Sequence, residues 1–128
     1  MNRNRVTTFF LSILTLFALG IGRSNAQEMR PAPNIAGNWT IYAYNVDHPG
    51  SSLKTIEVTQ SGNIISGKFH GPHQHGNFQG WVSGNHIEFS TDTNNILTFR
   101  GEITPQGMSG LYGVHGRHAP WNAERTNQ

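Results

Sequence analysis

Beyond Ala36 the chain breaks into short runs in which apolar and polar residues alternate, separated by turn-forming dipeptides such as Gly62-Asn63 and Gly84-Asn85. A period of two places every second side chain on one face of a strand, and two-residue loops of this kind close antiparallel hairpins. No stretch repeats its apolar residues every 3.6 positions, so an all-β meander is expected. Eight strands are read, at roughly 38–44, 53–60, 64–70, 77–83, 86–91, 96–104, 108–115 and 121–125.

Three tight turns set candidate registers. Around Gly62-Asn63, Ile56 faces Phe69, Glu57 faces Lys68 and Val58 faces Gly67. Around Gly84-Asn85, Gly80 faces Phe89, Trp81 faces Glu88 and Val82 faces Ile87. A third turn at Gln106-Gly107 sets Ile103 against Gly110, Gly101 against Tyr112 and Phe99 against Val114. All three registers collect apolar residues on one face: Ile41, Ile56, Val58, Ile65, Phe69, Phe78, Val82, Ile87, Phe89, Leu97, Phe99, Ile103, Tyr112 and Val114. Glycines opposite bulky partners let such a sheet curve tightly. The expected fold is an eight-stranded antiparallel up-and-down β-barrel. Its lumen is wide enough for side chains or one small ligand, and a filled lumen is the expected state.

The barrel is preceded by a different kind of sequence. Arg3 and Arg5 start the chain, Val6 to Gly22 is apolar, and Ser24-Asn25-Ala26 supplies small residues at a cleavage junction. This pattern predicts a secretory signal peptide over residues 1–26, too short in its apolar part to span and anchor. The expected organisation is then a flexible arm over 27–35 and one barrel domain over 36–126, in a secreted or periplasmic protein. Without a cysteine in the sequence, no lipid anchor forms at the junction and no disulfide supports the core. Losing Arg3, Arg5 and Arg23 leaves six of the nine basic residues against seven acidic ones. A nucleic-acid or membrane-surface partner therefore has no electrostatic support.

An up-and-down order sends the three tight turns to one end. The longer connections, read at 45–52, 71–76, 92–95 and 116–120, go to the other. Six of the seven histidines fall at or near that open end: His48, His70, His73, His75, His115 and His118. Only His86 begins a strand at the closed end.

Gly37-Asn38-Trp39 opens the first strand and Trp121-Asn122-Ala123-Glu124-Arg125 forms the last. This resembles the calycin arrangement of lipocalins and avidins, and the stretch from Ile35 to Arg125 resembles small uncharacterised secreted β-barrel proteins of bacteria. The calycin resemblance implies that Trp39 and Arg125 close the barrel base, with the guanidinium stacked on the indole. The avidin likeness is confined to Trp39, Ile65-Ser66-Gly67-Lys68-Phe69 and the final strand. Avidins carry polar biotin-binding residues soon after the first tryptophan; here Thr40-Ile41-Tyr42-Ala43-Tyr44 stands instead.

For function, the leading expectation is a non-enzymatic binding module. Its small apolar ligand would sit at the rim formed by His48, His73, His75 and His118, over Phe69, Phe78 and Leu97. A first alternative is transition-metal binding by His70, His73, His75, His115 and His118. Imidazoles suit zinc or copper, and Asp47 or Asp92 would orient them. The expected register turns His70 and His115 outward, opposite Thr55 and Thr98, which weighs against that set. A resident cofactor is not expected. A second alternative is an interaction protein with a filled barrel. It would associate, with a second copy among other partners, through an outer wall bearing Trp81, Ile64, Leu111, Tyr42 and Tyr44. No Gly-x-Ser-x-Gly elbow, His-Glu-x-x-His helix or phosphate loop is present, so an enzyme would have to work at the rim. Histidine titrates near pH 6.5, so mild acid would make that rim cationic.

Overall fold

The computed structural model describes residues 29–126; the expected signal peptide lies outside them. Eight strands follow one another: β1 (Gly37–Tyr44), β2 (Ser51–Ser61), β3 (Ile64–His70), β4 (His75–Ser83), β5 (His86–Thr91), β6 (Thr98–Thr104), β7 (Gly107–Val114) and β8 (Arg117–Arg125). Each pairs antiparallel with the next, and β8 returns to β1 to close the barrel. Closure joins Trp39 to Arg125 and Ala43 to Trp121, leaving no free sheet edge between first and last strands.

The first two hairpins hold the expected registers, with Ile56 opposite Phe69 and Val82 opposite Ile87. The third is displaced by two residues. Its turn is Pro105-Gln106, which sets Ile103 opposite Met108, Gly101 opposite Gly110 and Phe99 opposite Tyr112. Proline pre-sets the backbone for the first central turn position, and Thr104 Oγ1 accepts from the Gln106 amide at 3.2 Å. A shift of two conserves which face each residue occupies, so the inner set survives the change.

The fourth connection at the open end also differs. Residues 116–120, expected as a loop, are a hairpin turn at His115-Gly116 followed by strand. Both turn residues have positive φ, 52° and 76°, the geometry that twists a two-residue loop to match its strands. Pro120 is accommodated where β8 is paired only with β7, since the β1 ladder begins at Trp121.

The interior is filled by aromatic rings. Phe89 stacks on Phe99 with centroids 4.7 Å apart, and Phe99 stacks on Tyr112 at 5.3 Å. Trp121 meets the same Phe99 edge-on at 5.4 Å and is 1% exposed. Its indole N–H donates to the Leu111 carbonyl at 3.1 Å, and the Arg100 carbonyl lies 3.2 Å from the same nitrogen. Gly101 and Gly110 lie opposite one another at this point, and a Cβ on Gly110 would collide with the Arg100 backbone. Ile103 and Val114, expected in the core, are only partly buried; Ile35, Trp39, Ala43, Met108, Ala119, Trp121 and Ala123 join it.

The segment before β1 has no regular secondary structure, yet it crosses the closed end. The Arg30 carbonyl accepts from Asn63 Nδ2, and the Ile35 amide donates to Gln60 Oε1 at 2.8 Å. Trp39 Nε1 reaches the Ile35 carbonyl at 2.8 Å, with the Ile35 side chain buried beneath. The Arg125 guanidinium lies 4.7 Å from the Trp39 ring centre and donates to the carbonyls of Ala36 and Asn34. That end of the barrel is plugged.

Candidate functional site

At the opposite end the chain leaves a depression of about 320 Å³. It lies where the loop after β1, the loop after β3, the loop after β5 and the His115-Gly116 turn come together. Asp47, His48 and His73 stand on its rim, Val46, Leu97, Tyr112 and Val114 supply its apolar surface, and the buried Phe69 lies beneath. Its volume is at the lower end of the range for small-molecule sites. The packed aromatic rings beneath keep it shallow.

Period-two alternation along β2 aims Ser52, Lys54, Ile56 and Val58 inward, while Leu53, Thr55 and Glu57 face solvent. Lys54 is therefore a cation on the wall of the depression, only 9% exposed. Its ammonium donates to Ser52 Oγ at 2.6 Å. No ion pair among the described residues includes it. Burial lowers its pKa from the ordinary lysine value of 10.5, because desolvation penalises the charged form. The expected site omitted this residue, although its parity with Ile56 and Val58 already placed it inside.

Other groups at the mouth are held by one another. Asp47 Oδ1 lies 2.5 Å from His48 Nδ1, and that hydrogen bond holds the carboxyl below its usual pKa. The Tyr112 hydroxyl donates to the Tyr44 carbonyl at 2.5 Å. Burial, with a smaller contribution from the Asp47 charge, raises the Tyr112 pKa. His115 Nε2 lies 2.8 Å from Asn95 Oδ1, which ties the last hairpin to the loop after β5.

The structure divides the expected site residues. His48, Phe69, His73 and Leu97 line the depression. Phe78 is buried lower in the core against Phe89, 5.2 Å between ring centres. His75 is the first residue of β4 and faces outward opposite His70, their rings 6.4 Å apart. His118 lies on the outer wall beside Arg100 and Leu111, because the tight turn before it makes it part of β8. His115, expected on the outer face opposite Thr98, lines the mouth instead, and Gly113 takes that place.

The five histidines considered as metal ligands are thus dispersed. His70 and His75 pair on the outer wall, where His70 Nε2 lies 3.6 Å from Glu57; His73 and His115 are at the mouth; His118 is elsewhere. Among the described residues, no three histidine, aspartate or glutamate side chains are grouped to hold a metal ion. His86, at the closed end, lies between two carboxylates, 3.0 Å from Glu88 and 3.3 Å from Glu102. Hydrogen bonding to Glu88, reinforced by Glu102, raises its pKa against the opposing effect of burial.

The closed barrel is the architecture that the calycin resemblance implies. No family model, curated protein or solved structure matches this chain.

Proposed function

We propose that this protein is an exported, non-enzymatic binding module that takes one small, largely apolar molecule into the depression at the open end. The observation that carries the reading is the pairing of an apolar surface (Val46, Leu97, Tyr112, Val114) with a polar rim at the unplugged end. Concave apolar surface with a few convergent polar groups is the usual form of a ligand site. Export rests on the basic start, apolar run and small-residue junction of the first 26 residues.

The test is binding of the neutral dye N-phenyl-1-naphthylamine, followed by its fluorescence. The expected result is saturable one-to-one binding, lost in Val114→Trp, which places an indole in the mouth without entering the aromatic core. Unsaturable binding, or binding indifferent to Val114→Trp with the fold intact, would contradict the reading.

A second reading, association through the outer wall, is supported by exposed Tyr42, Tyr44, Leu53, Ile64 and Leu111. Trp81 lies opposite Ile64 on this wall, but its ring is half-buried and only 5.3 Å from His86. Sedimentation that depends on protein concentration and is abolished by Ile64→Lys would support dimerisation there. A monomer at every concentration would remove it.

A further inference from the structure

A lysine normally extends its stem over apolar surface and keeps its ammonium in water. Lys54 does not. It is 9% exposed, sits on the inner face of β2 opposite Ile41, and has Ser52 Oγ as its hydrogen-bond acceptor. An ammonium carries three N–H donors, so a single hydroxyl leaves two of them for solvent or a bound molecule in the depression. A buried charge without an opposite partner costs stability unless something else compensates it.

No carboxylate among the described residues is in contact with the Lys54 ammonium. Asp47, the carboxylate on the rim, is engaged by His48. His48, His73 and His115, the histidines of the mouth, are never anionic and cannot neutralise an ammonium. The Tyr112 hydroxyl is committed to the Tyr44 carbonyl. The depression thus presents one cation with no carboxylate in contact, among the described residues, beside Val46, Leu97 and Val114.

We propose that Lys54 anchors the head of a small amphipathic monocarboxylate, whose hydrocarbon part rests on Val46, Leu97 and Val114. This deepens the ligand-site reading and rests on it. A single ammonium is a point charge, suited to one carboxylate. The planar fork of an arginine, which favours bidentate recognition of phosphate, is absent from the lining of the depression. The shallow depression limits the hydrocarbon to a short chain.

The experiment uses three eight-carbon probes, octanoate, 1-octanol and octylammonium, each displacing N-phenyl-1-naphthylamine and each measured by calorimetry. Octanoate is expected to bind at least tenfold more tightly than octanol, and octylammonium more weakly than either. Lys54→Met is expected to reduce octanoate to the octanol level, and Lys54→Arg to restore part of the octanoate preference. Equal affinity for octanoate and octanol, or an unchanged octanoate affinity in a folded Lys54→Met protein, would overturn the carboxylate assignment with the site itself still standing. Failure of the wild-type protein to bind the dye would instead overturn the ligand site on which the assignment rests.

Discussion

The Lys54 ammonium donates to the Ser52 hydroxyl, two residues away on the same inner face of β2, rather than to a carboxylate. The arrangement disposes a positive charge toward the mouth of the barrel at a cost to the stability of the fold. Binding sites commonly retain such a cost, because what compensates it is the ligand.

Lys54→Met should therefore raise the melting temperature at pH 7. Burial lowers the lysine pKa in the folded protein, so between that value and 10.5 the unfolded chain holds more protons. Wild-type stability accordingly rises with pH through this window, relative to the methionine variant. Thermal melts of the two proteins should converge as the pH approaches 10.5. A gap independent of pH would show that desolvation of the charge is not its source.

Gly110→Ala is expected to destabilise the barrel by about 2 kcal/mol, since the added methyl group meets the Arg100 backbone and has no room to relax. Trp121→Ala should cost about 4 kcal/mol by emptying the centre of the aromatic cluster. Urea unfolding measures both. Losses below about 1 kcal/mol would mean that the interior is more loosely filled than these contacts imply.

Much of this fold was legible in short-range pattern. Gly62-Asn63 and Gly84-Asn85 carry the residue types their turns demand, so both hairpin registers follow from the sequence. Pro105-Gln106 was legible only as a turn region: parity survived, but the register moved by two. His115-Gly116 was hidden by Pro120, which argues for a loop unless the strand is known to be paired on one side only. Ile35 enters the core from a segment without regular structure, its amide held by the distant Gln60, which no local period records, whereas Trp121 follows the alternation of β8 with Ala119 and Ala123. Lys54 was overlooked for a different reason. A charged residue is placed outward by default, although the alternation of β2 put it inside.

The closed end should respond to Arg125→Ala by about 1 kcal/mol. The variant loses the contact over Trp39 and the hydrogen bonds to Ala36 and Asn34. Faster amide hydrogen exchange near Ile35 and Trp39, with the open-end amides unchanged, is the expected signature. Uniform acceleration through the barrel would point to a general loss of stability instead.

His86 should titrate above its ordinary 6.5, because Glu88 and Glu102 favour the imidazolium. Its contribution to stability is present in full below pH 6.5 and disappears as the pH rises through the folded value. Glu88→Gln should move the titration downward, followed through the His86 ring signals by NMR. The pair is exposed enough for the effect on global stability to be small. A His86 midpoint insensitive to Glu88→Gln would contradict the contact.

The most direct test of the ligand-site account is an NMR map of backbone amides as octanoate is added to the purified protein. The account predicts saturable shifts concentrated at residues 46–54, 69–74, 95–97 and 112–115, with the turns at Gly62-Asn63, Gly84-Asn85 and Pro105-Gln106 unmoved. Shifts centred on the outer wall or the closed end, or none at saturating probe, would contradict it.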